Sequence, residues 1–282
     1  MRYVVTGVQG MLGHDMAIAL SSRNLLALAR SELDITDIEQ LRATLRPGDI
    51  VINCAAYNAV DQAEGDEVGA MRINADGPQN IAIVTRELNS RLVHVSTDYV
   101  FDGRASAPYI ESTERNPISA YGRSKAAGEI AVQREHPSGS YIVRTAWLYG
   151  KNGNNFAQTM LNIARSKDSW GVVDDQRGQP TWTADLAAQI VRLVDSDAPS
   201  GVYHGTNSGE TSWFGFAQAV LEEAGLDPSR IMPTDSSSFV RPAPRPHYSV
   251  LGHDRWAEVG LPSMRPWRQA LGAAMRAGVF EI

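Results

Sequence analysis

Thr6-Gly7-Val8-Gln9-Gly10-Met11-Leu12-Gly13 decides the fold of this chain. The apolar run Tyr3-Val4-Val5 before it reads as a strand, and Met11 to Leu20 after it as a helix. Glycines at 7, 10 and 13 let the turn tighten. They also let backbone N–H groups at the helix N-terminus approach a pyrophosphate. The Gly-x-x-Gly-x-x-Gly spacing is a variant of the dinucleotide fingerprint, and its place at the first strand–helix junction gives it weight. Gly7, Gln9, Gly10, Met11, Leu12 and Gly13 are therefore the expected cradle of a dinucleotide.

Downstream, short apolar runs alternate with helix-like stretches. Leu25 to Ala29, Ile50 to Asn53, Leu92 to Ser96 and Ser140 to Arg144 read as strands. Asp37 to Leu45, most of Val68 to Leu88, and a segment opening at Tyr121 read as helices. This alternation predicts a Rossmann-type α/β fold, a doubly wound parallel sheet covered on both faces. Past Trp147 the pattern loosens into Gly/Asn turns. Helices are expected over Ala184 to Val194, capped by Thr183, and over Trp213 to Ala224. The prolines of Arg241-Pro242-Ala243-Pro244-Arg245-Pro246 exclude regular structure there. The expected division is a dinucleotide-binding domain over 1–146 and a smaller substrate-binding lobe over 147–282, with the helix near 183–195 packing back on the first domain.

The 282 residues are 43% hydrophobic and 21% charged, with a formal net charge of −6. A mildly acidic chain without basic runs does not suit nucleic acid or an anionic membrane. Cys54 is the one cysteine, which excludes an intrachain disulfide and fits a cytoplasmic protein. The six histidines fall at no metal-ligand spacing, so no catalytic metal is expected.

The end of the second strand reads the cofactor. An acid there would bond ribose hydroxyls and repel a 2′-phosphate. Ala29-Arg30-Ser31 stands in its place, so Arg30 and Ser31 favour NADPH while leaving NADH acceptance open. Asp34 and Ile35 follow, at the expected border of the adenine. The chemistry comes from two further segments. Ser96-Thr97-Asp98 ends the fourth strand, at the sheet edge where ligands bind. In Tyr121-Gly122-Arg123-Ser124-Lys125 a phenol and an ammonium share one helix face. A close ammonium is expected to lower the phenol pKa from its free value of about 10. Proton donor plus nicotinamide site implies carbonyl–alcohol redox chemistry.

Taken in order, these segments resemble the extended short-chain dehydrogenase/reductases. More narrowly, the chain resembles the dTDP-4-dehydrorhamnose reductases over nearly its whole length. The likeness rests on Asn53-Cys54-Ala55-Ala56-Tyr57, Val60-Asp61-x-Ala63-Glu64 and Val95-Ser96-Thr97-Asp98-Tyr99-Val100-Phe101-Asp102-Gly103. It continues through Tyr121-Gly122-x-Ser124-Lys125-x-x-Gly128-Glu129, Arg144-Thr145-Ala146-Trp147-x-Tyr149, Gly153-Asn154-Asn155-Phe156, Asp175-Gln176-x-Gly178-x-Pro180-Thr181 and Arg245-Pro246. The resemblance implies NADPH-dependent reduction of dTDP-4-dehydro-β-L-rhamnose, the last step in making a rhamnose donor. It implies a catalytic triad of Thr97, Tyr121 and Lys125, and adds Ala55, Ala56 and Tyr57 to the cofactor site. It places Asp98, Tyr99, Trp147, Asn155, Gln176 and Arg245, together with Thr97, at the dTDP-sugar.

Tyr99 separates this pattern from the related 4,6-dehydratases, which carry Glu there for water elimination. Some relatives dimerise around magnesium held by a glutamate just after the third glycine. Asp15 is shorter, which argues against a metal-linked dimer and leaves monomer or homodimer open. Two other readings remain. One is a non-catalytic cofactor-binding subunit like the methionine adenosyltransferase β subunit. The other is a reductase of a different dTDP-4-keto-6-deoxysugar.

Overall fold

The computed structural model describes residues 1–281. Its centre is a six-stranded, all-parallel sheet. The strands are β1 (Tyr3–Thr6), β2 (Leu25–Leu28), β3 (Ile50–Asn53), β4 (Arg91–Thr97), β5 (Ser140–Thr145) and β6 (Gly201–His204), in spatial order β6-β5-β4-β3-β1-β2. The helices named below are α1 (Met11–Ala19), α2 (Ile38–Thr44), α3 (Gly77–Glu87), α4 (Ala120–Glu135), α5 (Phe156–Ala164), α6 (Thr183–Val194), α7 (Trp213–Glu223) and α8 (Trp267–Arg276). After β2 the chain crosses to the other side of β1. The strand order thus reverses between β1 and β3, and opens a crevice at their C-terminal ends.

The strands read as continuous Val/Ile/Leu runs because helices bury both faces. On one face Val5, Ile50, Ile52 and Val93 pack under Leu12, Met16 and Leu20 of the α1 region and Leu186, Ile190 and Leu193 of α6. On the other, Val4, Val51, Leu92 and Ile142 meet Leu41 of α2, Ile81 and Val84 of α3, and Val132 of α4. Among the described residues no helix is long and apolar enough to cross a membrane.

Within 147–282, α6 packs back on the sheet and β6 also joins it, beside β5. Thr183 does not cap α6. The helix begins at Thr183, and the hydroxyl donates to the Asp15 carboxylate of α1 and to the Tyr149 carbonyl. The 68–88 helix is three pieces, Glu67–Met71, a π-helical turn Arg72–Asp76, and α3. That turn carries buried Asn74, whose amide bonds both backbone groups of Tyr57 and the Ser124 hydroxyl.

The lobe has its own core, in which Tyr149, Leu161, Trp170, Phe216, Val220 and Leu271 pack between α5, α7 and α8. A parallel strand pair, Trp170–Val173 with Ile231–Thr234, closes it.

Candidate active site

The glycine turn is built by close approach. Gly7 has φ +70°, and a Cβ there would lie 2.7 Å from the Ala55 nitrogen. A Cβ on Gly13 would lie 2.2 Å from the Gly7 carbonyl oxygen. Gly10 has only that carbonyl, at 3.3 Å, and otherwise faces open space. It is the N-cap of α1 and offers no side-chain cap, so the first-turn amides are left for a ligand. Gln9 and Gly10 are exposed, Met11 is half-buried and Leu12 lies in the core. Ala55, Ala56 and Tyr57 follow β3, and the Ala55 backbone lies against Gly7.

Arg30 and Ser31 project into solvent beyond β2. Asp34 is turned inward on Thr36, whose amide and hydroxyl hold its carboxyl below the usual carboxylate range. The Ile35 side chain does not border the crevice; it is 5% exposed in the core beneath α3, where a Cβ on Gly77 would lie 2.6 Å from it.

α4 delivers the phenol. Ser119 caps it by accepting from the Gly122 amide at 3.1 Å, and Glu64 accepts from the Ala120 amide at 2.8 Å. Tyr121 thus sits in the first turn, edge-on to Tyr99 with ring centroids 5.6 Å apart. Gly122 permits this, since a Cβ there would meet the Tyr99 carbonyl at 2.3 Å. The structure brings Thr97, Asp98, Tyr99, Tyr121 and Lys125 together.

The electrostatics correct the expected acidic phenol. Burial raises the Tyr121 pKa, the Thr97 hydroxyl pulls it back, and the Asp98 carboxylate raises it further. The Lys125 ammonium instead donates to the Val95 carbonyl at 2.7 Å, so it is turned to the strand. Burial brings the Lys125 pKa down to about 8, against a raising influence from Glu129. Glu129 is itself fully buried and accepts from Ser96, Arg115 and Arg144, which pins the end of β4. Asp98 is 2% exposed, accepts from the Thr97 hydroxyl at 2.9 Å, and keeps its other oxygen without a partner. Burial pushes its pKa up to about 6.

Beside Tyr99 opens a cavity of about 890 Å³, lined by Phe156, Val172, Gln176, Trp213, Arg241 and Arg245 among others. Trp213 is stacked on Trp147 at 3.5 Å between ring centroids, and its indole N–H donates to the Gln176 side chain. Trp147 has φ +46°, a left-handed backbone that turns its ring under Trp213.

A family model described as RmlD substrate binding domain matches residues 1–279. The chain belongs to the RmlD family. It is 48% identical to a dTDP-4-keto-6-deoxy-D-glucose reductase of Streptomyces niveus, over 97% of this chain and 96% of that protein. It is 45% identical to a dTDP-4-dehydrorhamnose reductase of Mycobacterium tuberculosis, over 98% and 93%. Among solved structures, the dTDP-4-dehydrorhamnose reductase of Bacillus anthracis, determined in complex with NADP, superposes with TM-score 0.94. That structure is 37% identical and is covered over 99% of its length and 98% of this chain.

Within this RmlD-family chain, two predicted residues have structural work. The Asn155 side chain caps α5 by accepting from the Gln158 amide and also donates to the Gly150 carbonyl. Asp15 accepts the Thr183 hydroxyl, so its carboxylate is engaged within the chain. No group of three or more metal-binding side chains occurs among the described residues. Sequence reasoning missed Trp213, Phe156, Val172 and Arg241. Each comes to the cavity by packing over long sequence separations, and although Phe156 and Arg241 fall in stretches quoted above, nothing local marks any of the four as cavity lining.

Proposed function

We propose that this protein reduces the C4 ketone of dTDP-4-dehydro-β-L-rhamnose to dTDP-β-L-rhamnose with NADPH. The single observation that carries this reading is that Tyr121 stands against Thr97 at the end of β4, with Lys125 one turn along α4 and Tyr99 leading to an aromatic cavity. The cradle fits a dinucleotide, because Gly10 leaves space and uncapped amides where a pyrophosphate would lie. Arg30 and Ser31, exposed beside it, suit a 2′-phosphate.

When bound, NADPH supplies hydride to the ketone carbon. The Thr97 hydroxyl then donates to the carbonyl oxygen as negative charge develops on it. Tyr121 gives up its phenolic proton to that oxygen, and its raised pKa keeps the proton in place until then. Lys125, half-titrated near pH 8, supplies positive charge behind the phenol and a donor for the nicotinamide ribose. Thr97 shares its hydroxyl with Asp98, so a protonated Asp98 frees Thr97 to face the substrate. In this reading residues 1–146 hold the cofactor and the lobe holds the sugar nucleotide. Tyr99, Trp213 and Gln176 line the sugar and base, with Trp147 behind them, and Arg245 serves the diphosphate.

Following NADPH consumption with the dTDP-sugar ketone, and the product configuration by NMR, tests this. Stoichiometric dTDP-L-rhamnose is the expected result. Turnover only with a ketone of different ring configuration, or cofactor binding without turnover, would overturn it.

A further inference from the structure

The proline-rich segment 241–247 walls the cavity, yet its prolines can make few backbone bonds. One end is held by packing. Gly103, with φ +77°, lets Pro246 approach so closely that a Cβ would meet it at 2.4 Å, and the Tyr248 amide donates to the Gly103 carbonyl. At the other end, beyond Arg241, Phe239 and Val240 are exposed at 45% and 90%. Between these ends Ala243 is buried, the His247 carbonyl accepts from the Arg177 amide at 2.7 Å, and one carboxylate bonds both Ala243 and Arg245. Asp61, in the short helix after β3, accepts from Arg245 Nη1 at 2.6 Å and from the Ala243 amide at 3.3 Å with the same oxygen. Arg245 Nη1 also donates to the Ala243 carbonyl at 2.6 Å.

We infer that Asp61 is the positioning residue of the sugar-nucleotide site: it fixes the 241–247 strap as a wall of the cavity and aims the Arg245 guanidinium across it. This deepens the proposed function and rests on that reading of the cavity. Held by Asp61 at one nitrogen and lying beside the Tyr99 phenol, the planar guanidinium has further N–H groups for a second acceptor, and a diphosphate fits that fork geometry. The Arg245 side chain is 21% exposed and that of Asp61 is 31% exposed, so the pair is reached by solvent. Arg241 is exposed beside it and adds positive charge at the rim.

Two effects of Asp61 oppose each other. Its negative charge weakens the pull of Arg245 on an anion, while its hydrogen bonds order the strap. The charge is half-exposed and screened, and such pairs contribute little. Ordering a segment whose middle has no other side-chain bond to both Ala243 and Arg245 is the larger effect. Asp61→Ala therefore weakens ligand binding instead of strengthening it.

The test uses the full chain and dTDP as probe, read by tryptophan fluorescence or calorimetry. Asp61→Ala raises the dTDP Kd by about tenfold, the worth of one charge-assisted hydrogen bond, and leaves the NADPH Kd unchanged. Asp61→Asn keeps an acceptor for the Ala243 amide and falls between the two. Amide hydrogen exchange over 239–247 speeds up in Asp61→Ala. Combining it with Arg245→Met gives less than the sum of the two losses. An unchanged or tighter dTDP Kd in Asp61→Ala overturns the inference, as do equal losses of dTDP and NADPH or unaltered exchange in the strap. Wild-type protein that binds dTDP but leaves the ketone unreduced overturns the proposed function alone.

Discussion

The glycine crevice and the aromatic cavity lie on either side of the Tyr99–Tyr121 pair and are made of different material. The crevice is backbone: Gly7 and Gly13 exist so that main chain can touch main chain, and α1 presents amides. The cavity is side chain: Trp147 stacked on Trp213, Trp213 bonded to Gln176, Arg245 held by Asp61. A backbone site is written in a few consecutive residues. A side-chain site is written in pairs that lie tens to hundreds of positions apart. Substitutions should sort accordingly, with cofactor affinity failing on one side, sugar-nucleotide affinity on the other, and chemistry at the junction.

The largest effect belongs to the junction. Tyr121→Phe removes the proton donor and should lower kcat about 10³-fold, or about 4 kcal/mol, while the Kd for NADPH holds. Near-wild-type turnover in stopped-flow or steady-state assays would break the comparison at its centre.

Asp98 gives the next largest effect, on stability. Burial pushes its carboxyl up to about 6 in the fold, from an ordinary 3.8. A raised pKa means that the folded protein binds the proton more tightly. The stabilisation is complete at low pH and is lost as pH rises towards 6, by about 3 kcal/mol in all. Asp98→Asn should therefore raise the urea midpoint at neutral pH and change little at about pH 4. Equal shifts at both pH values would show that burial of the charge is not the cause.

On the lobe side, Trp213→Ala removes the stacked wall and should raise KM for the sugar nucleotide about 30-fold, or about 2 kcal/mol, without touching KM for NADPH. On the cofactor side the smallest effect is expected, because Arg30 is exposed. Arg30→Ala should weaken NADPH by up to about tenfold and leave NADH unchanged. Equal losses for both cofactors would remove Arg30 from the 2′-phosphate.

The same contrast explains what the sequence made legible. Five of the six central strands, the glycine turn and the Tyr121/Lys125 face were readable because period and spacing are local properties. β6 was not, because Gly201-Val202-Tyr203-His204 is a weak strand that forms only against β5. Which way Ile35 and Asn155 turn was not legible for a related reason: polarity and motif position do not say whether a side chain faces the core, a helix end or a ligand. The phenol pKa was misjudged because helical spacing fixes the Tyr121 and Lys125 positions but not the Val95 carbonyl that captures the ammonium. Trp213 had no signal at all, since its partner Trp147 needs a left-handed backbone that no glycine announces.

The late arrival of β6 has a consequence for how the chain comes into being. The sheet stays one strand short, with an edge of β5 open to stray pairing, until nearly three-quarters of the chain has emerged and threaded through the lobe. Neither half completes its own assembly first, so heating should melt both in one cooperative step, and a fragment ending before residue 201 should aggregate instead of folding.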